Sequence, residues 1–306
     1  MKIKIKIKKL VVLLVTSSLL LALLVYFDSY EKNSYITAIT IFVTVLFKDQ
    51  IILLYSKLKD VFFVNNWKNS QKELEKKGDL KDDTKIRISF AYLFRIKIDD
   101  MYFLVPNKRS KKYQPVGGAY KFYKNEADYL SENIPAESDD CIPVNEITKR
   151  DYRLIIENKN LRAFIKRFNS TLDRENIENL SREFKEEIFI SGILNSEEFG
   201  DLIYRYCGRH MTNIEESVFG KFEILLADIV EVRLTENQEV LFRSLMDNNS
   251  VDYKFATAKE IKALGVKAGS QHLEDNIANH TYKILIENSD KLTNKNEYKS
   301  LIQVPL

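Results

Sequence analysis

Residues 182–187 read Arg-Glu-Phe-Lys-Glu-Glu. On a helix of about 3.6 residues per turn, Glu183, Glu186 and Glu187 share roughly 100° of arc, clear of the apolar stripe Ile177, Leu180, Phe184 and Ile188. Three carboxylates on one face suit a hard divalent cation such as Mg²⁺, which bridges to phosphate oxygens. Arg182 can hold the helix or a carboxylate in place. The same spacing also describes a solvated acidic face. Arg209 and His210 follow a candidate strand and can meet phosphate, or form a satisfied surface pair. Lys108, Arg109, Lys111 and Lys112 make a basic loop able to steer an anion. His280 serves equally as a structural hydrogen-bonder or a site residue. Cys141 and Cys207 show no catalytic histidine partner.

The elements that must position these residues are legible as an α+β pattern. Residues 85–98, KIRISFAYLFRIKI, are β-rich, and Asp99-Asp100 turns the chain into 101–105, which predicts a hairpin. A short strand over 113–121 holds Gly117 and Gly118, and another strand spans 152–157. Leu161, Phe164, Ile165 and Phe168 fall at i, i+3, i+4 and i+7, so 160–168 is an amphipathic helix, with a second at 177–188. Strands are expected at 201–207 and 221–234, and helices at 236–245 and 258–264. Residues 67–85 carry 11 charges in 19 positions and read as a solvated stalk or linker within 61–85.

Composition narrows the function. The chain has 306 residues, 45% hydrophobic and 30% charged, with two cysteines and three histidines, which excludes a disulfide scaffold and a four-cysteine zinc site. Net charge is +3, but without Lys2, Lys4, Lys6, Lys8 and Lys9 the rest holds 42 basic and 44 acidic residues. That balance argues against a grip on a nucleic-acid polymer. Residues 10–27 form an uncharged apolar run, and a second apolar stretch covers 35–55. Together they predict a two-helix membrane anchor within 1–60, the rival being a cleaved signal peptide. Lysines flank both outer ends, so both termini are expected in the cytoplasm.

Arg-Glu-Phe-Lys-Glu-Glu resembles the helical half of the Nudix box. Gln114-Pro-Val-Gly117-Gly118 resembles the sequence entering that box, YLFRIKIDDMYFLV its usual first strands, and FATAKEIKAL at 255–264 a late segment of many Nudix domains. Arg182 stands 64 residues after Gly118, an insertion of about 50 residues. Counted from the glycines, the first glutamate of the box falls on Lys124 or Tyr123, and the late glycine is displaced to Gly192. With these departures the chain is similar to the SMODS-associated Nudix domain found behind a two-helix anchor in bacterial CBASS anti-phage operons. The likeness is carried by PVGGAYK, DYRLII with NLRAFIKRF, NLSREFKEEIF, FEILLADIVEVRLTENQ and ANHTYKIL, over roughly 85–286.

That resemblance implies a divergent Nudix-like α/β/α domain over 86–290, with 291–306 as a tail. It implies an effector of abortive infection: a CD-NTase partner makes a cyclic nucleotide, the domain senses it, and gathered hairpins, as a homo-oligomer, disrupt the lipid of the bacterial inner membrane. The ligand-binding set expected is Gly117, Gly118, Arg182, Arg209 and His210. The competing readings are an anchored, Mg²⁺-dependent Nudix hydrolase acting through Glu183, Glu186 and Glu187, and a scaffold with a dead Nudix fold. Lys124 in place of the upstream glutamate points away from an efficient hydrolase.

Overall fold

The computed structural model describes residues 67–139, 148–217, 220–248, 250–266 and 275–306. The anchor segments 10–27 and 35–55, as well as Cys141 and His272, lie outside the described residues. No helix among the described residues is long and apolar enough to cross a membrane. The expectation of a two-span inner-membrane protein is corrected accordingly, because no spanning helix is found to carry that placement.

The strands in chain order are β1 (Lys85–Arg95), β2 (Lys97–Ile98), β3 (Met101–Pro106), β4 (Tyr113–Gln114), β5 (Gly117–Ala119), β6 (Ala136–Ser138), β7 (Arg153–Glu157), β8 (Leu202–Met211), β9 (Glu215–Glu216), β10 (Phe222–Val232), β11 (Lys254–Thr257) and β12 (Ile302–Val304). The α-helices are α1 (Trp67–Lys77), α2 (Lys124–Asn133), α3 (Leu161–Phe168), α4 (Arg182–Phe184), α5 (Ser196–Phe199), α6 (Glu236–Met246) and α7 (Ala258–Lys262). The main sheet runs β12-β8-β10-β1-β7-β6, with β5 also on β1 and β9 on β10. A smaller sheet, β11-β3-β2 with β4 on β3, takes the chain after Ile96.

The period of two along β1 builds both faces. Ile86, Ile88, Phe90, Tyr92 and Phe94 are fully buried on one side. There Phe90 meets Phe168 of α3 at 4.7 Å between ring centroids, and Phe94 meets Phe184 of α4 at 5.4 Å. Arg87, Ser89, Ala91 and Leu93 face the other way, over a smaller core that holds Leu93, Ile229, Ile277, Ile284 and Leu285. Fully burying each large apolar side chain contributes about 1.5–3 kcal/mol.

Three segments differ from expectation. The hairpin is confined to β2 and β3, while β1 itself pairs in parallel with β10 from Ile86↔Phe222 to Arg95↔Glu231. Parallel pairing needs a long crossover, and side-chain alternation cannot announce a partner so distant in sequence. The segment expected as a stalk is docked on the domain. Trp67 is buried, and Gln71 donates to Asn158 Oδ1 at 2.7 Å and accepts from Arg162 Nε at 2.7 Å. The tail is built in as well: Leu292 is buried and β12 adds to β8.

Candidate functional site

The glutamate helix begins where the chain is fixed twice. Asn176 and Asn179 form a capping box around the 3₁₀ turn Ile177–Asn179. The Tyr204 hydroxyl donates to the Ile177 carbonyl at 2.8 Å and accepts from the Leu180 N–H at 2.9 Å. Phe184, fully buried, then pins α4 against the core. After α4 the helix widens into a π turn over Lys185–Phe189, with the Ile190 N–H bonded to the Lys185 carbonyl at 2.9 Å. The expected regular helix over 177–188 is thus a 3₁₀, α and π sequence. Single π turns of this kind recur at functional sites.

The helix lies against β5, and the glycines permit that approach. Gly117 has φ +144°, and a Cβ there would lie 2.2 Å from the Tyr92 carbonyl oxygen. At Gly118 a Cβ would lie 2.0 Å from Glu183 Oε1. Only a strand without side chains at these two positions can carry the carboxylates so close. The Gly117 N–H donates to Glu187 Oε2 at 2.9 Å.

Arg182 organises the rest. Its Nε and Nη2 reach Glu175 at 2.7 and 3.2 Å, Nη2 also donates to the Ala119 carbonyl at 2.9 Å, and Nη1 donates to Glu183 Oε1 at 2.7 Å. Glu186 Oε1 stands 3.6 Å from the same guanidinium. Glu175 is the residue that counting from the glycines missed. Lys124 only begins α2 and does not line the site. Because the insertion falls between β5 and Glu175, counting back from Arg182 finds the carboxylate seven residues upstream. The main chain closes this gap, with Lys121 N–H donating to Glu175 Oε2 at 2.8 Å and Glu175 N–H to the Lys121 carbonyl at 2.9 Å.

A cavity of about 340 Å³ opens on this assembly. Gly117, Gly118, Arg182, Glu183, Glu186 and Glu187 line one side of it, and Lys108, Arg109 and Arg153 contribute positive charge. Burial, followed by the neighbouring Glu183 charge, pushes the Glu187 carboxyl up to about 8, against the Gly117 N–H that lowers it. Burial raises Glu183 too, although Arg182 opposes the shift. The Tyr92 hydroxyl is buried with no hydrogen-bond partner among the described residues, and burial and the Glu175 charge hold it well above its usual range.

The all-oxygen donor set has the chemistry that Mg²⁺ takes. Among the described residues, however, no three histidine, cysteine, aspartate or glutamate side chains converge closely enough to hold an ion. As arranged, Glu183 is engaged by Arg182 and Glu187 by Gly117, so these residues do not form a ready metal cage.

The other expected site residues lie elsewhere. Arg209 is in the core, with Nε and Nη2 each 2.8 Å from a different oxygen of Asp228. His210 Nε2 lies 3.2 Å from the Lys283 carbonyl oxygen, and burial pushes it down to about 4. Neither lines the glutamate cavity. In the basic loop, Lys108 and Arg109 line it, whereas Lys112 pairs with Asp275 at 2.7 Å.

A glutamate helix seated on a glycine pair beside β1 of a mixed sheet, with its arginine holding an upstream carboxylate, defines a Nudix-like domain. The chain belongs to the SMODS-associated NUDIX domain family, whose profile matches residues 85–285. No curated protein matches it. Among solved structures it is similar to a bifunctional NMN adenylyltransferase/ADP ribose pyrophosphatase from Francisella tularensis, crystallised with AMP and a manganese ion. That likeness has 11% identity and a TM-score of 0.21, over 82% of this chain. The chain spans about half of that structure, 52% of its length.

Proposed function

We propose that this chain is an effector of a cyclic-nucleotide-triggered, CBASS-type anti-phage system, and that its Nudix-like domain is the sensor. The cleft beside Gly117 and Gly118 binds a phosphate-bearing nucleotide and turns it over slowly or not at all. The observation that carries binding over turnover is the state of the carboxylates. The Gly117 N–H occupies Glu187 Oε2 and Arg182 holds Glu183, while burial and the Glu183 charge push the Glu187 carboxyl up to about 8. A protonated carboxyl gives a hydrogen bond to a phosphate oxygen and has little charge to offer a divalent ion. Membership of the SMODS-associated family supports the defence context. In this reading a CD-NTase supplies the ligand, and binding changes how copies of the chain associate. That requires tighter binding to the associated state than to the free one.

A second reading, a Nudix hydrolase, is favoured by Glu175. Its bond to Arg182 supplies the upstream carboxylate that is missing at the position counted from the glycines. For that activity Glu183, Glu186 and Glu187 would hold Mg²⁺ to polarise a diphosphate, which needs Glu187 deprotonated and Glu183 released from Arg182.

The test is to incubate the full chain with cyclic di- and trinucleotides, with and without Mg²⁺, and to follow both melting and ligand integrity. A sensor gains about 2.7 kcal/mol of stability at a ligand concentration of 100 Kd and returns the ligand intact. Rapid Mg²⁺-dependent cleavage of a nucleoside diphosphate derivative, abolished by Glu187→Gln, establishes the hydrolase instead.

A further inference from the structure

The glutamate cavity continues past the glycines. A second hollow of about 290 Å³ shares Asn107, Arg109, Gln114, Gly117, Gly118 and Arg153 with the first. Its floor is the outward face of β1. Ser89 and Ala91 leave room there that larger β-formers would fill. Arg87, Arg109, Arg153, His280 and Lys283 stand around it, and among the described residues no aspartate or glutamate lines it. The two halves of the cleft therefore differ in charge: the first sets Asp151, Glu183, Glu186 and Glu187 against Lys108, Arg109, Arg153 and Arg182, and the second is basic.

Two of the cations are accounted for. Arg87 reaches Asp139 at 2.8 Å and Glu223 at 2.9 Å, and Arg153 reaches Asp151 at 3.0 Å. The Lys283 ammonium makes no ion pair or hydrogen bond with any described residue, although the side chain is half-buried. Burial lowers its pKa, with only the Glu223 charge opposing. Its backbone is not free to swing it away. Ile284 and Leu285 beside it are fully buried, and the segment before it is tied to β4. There the Tyr113 N–H donates to the Asn276 carbonyl at 2.7 Å, and the Ala278 N–H to the Tyr113 carbonyl at 2.8 Å. A fixed, partly desolvated ammonium facing a hollow among other cations is costly unless an anion joins it.

We propose that the basic half of the cleft is a phosphate subsite centred on Lys283, with Arg109 and Arg153, which takes a phosphate group of the ligand without a divalent cation. This deepens the nucleotide-sensing reading. With the glutamate half beyond the glycines, the cleft suits a ligand carrying two separately placed phosphates rather than a mononucleotide. The subsite itself does not depend on what the glutamates do.

The test is calorimetric titration of the full chain with inorganic pyrophosphate in EDTA, for the native protein, Lys283→Met and Lys283→Arg. The native chain binds saturably, Lys283→Met binds at least tenfold more weakly, and Lys283→Arg restores binding. In the ligand-free state Lys283→Met melts higher than the native chain, because an unpartnered charge has been removed. A purely structural lysine gives the reverse pattern, a lower melting temperature with unchanged pyrophosphate affinity, and that result overturns the proposal. So does absence of metal-free pyrophosphate binding by the native chain. If pyrophosphate binding depends on Lys283 but no cyclic nucleotide binds, the subsite stands and the sensor reading falls.

Discussion

Two arginine–carboxylate clusters sit on the same aromatic core and end in opposite conditions. Around Arg209, each Asp228 oxygen receives two bonds. One accepts from Arg209 Nε at 2.8 Å and the Tyr206 hydroxyl at 3.1 Å, the other from Arg209 Nη2 at 2.8 Å and the Tyr120 hydroxyl at 2.7 Å. Charge and hydrogen-bonding capacity are both used up, and the cluster is sealed. Around Arg182, one guanidinium is shared among Glu175, Glu183 and, at longer range, Glu186, while the Glu187 carboxyl has, among the described residues, only the Gly117 N–H. That cluster has carboxylate left over and borders a cavity. Arg209 is also the more deeply buried, its side chain 8% exposed against 25% for Arg182, but what separates the structural pair from the working one is the unfinished balance.

The sharpest way to break the comparison is to unbalance the sealed cluster. Asp228→Ala leaves Arg209 buried and unpaired, and a loss of about 3–5 kcal/mol is expected in denaturant titration. A smaller loss would mean that water reaches the cluster and that it is not sealed. Gly117→Ala attacks the open cluster from the backbone side, where the added methyl meets the Tyr92 carbonyl at an unfavourable φ. A loss of about 2–3 kcal/mol is expected, together with loss of nucleotide binding.

Protonation distinguishes the clusters next. Glu187 has its folded pKa raised to about 8, above the unfolded carboxyl value near 4.5. The folded state therefore binds the extra proton between those values, and stability falls as pH rises from about 5 to 8. On the order of 3 kcal/mol of that tilt should vanish in Glu187→Gln, as read from melting at pH 5 and pH 8. An unchanged tilt places its source elsewhere. The finest contrast is between two hydroxyls. Tyr206→Phe removes a bond to Asp228 and should cost about 1 kcal/mol, whereas Tyr92→Phe removes an unpartnered hydroxyl and should be neutral or slightly stabilising.

Local patterns in the sequence translated well into structure, and distant ones did not. Leu161, Phe164, Ile165 and Phe168 are all buried along α3, as their spacing requires. The glycine pair and the three glutamates, far apart in the chain, line one cavity. The parallel β1–β10 pairing, the role of Glu175 and the approach of Lys283 depend on long returns of the chain that no periodicity encodes. Arg209 was misleading because a basic dipeptide after a strand looks the same whether its partner is a ligand or a buried aspartate. The docked α1 had a signal hidden by its charge: Trp67, Gln71 and Leu74 fall at i, i+4 and i+7, and all three face the domain.

The insertion leaves and rejoins the site at one point, where Lys121 meets Glu175, with Phe122 bridged to Arg174 and the Tyr123 N–H bonded to the Asp173 carbonyl beside it. Between those ends it supplies β7 to the main sheet and Phe164 and Phe168 to the core. The detour is thus a keystone rather than an ornament. A shortened descendant of this chain could not simply excise it, because the cut would remove the strand beside β1 and release the carboxylate that Arg182 grips. Any force that levers the insertion away from the sheet would reach Glu175 before it reached the rest of the cleft.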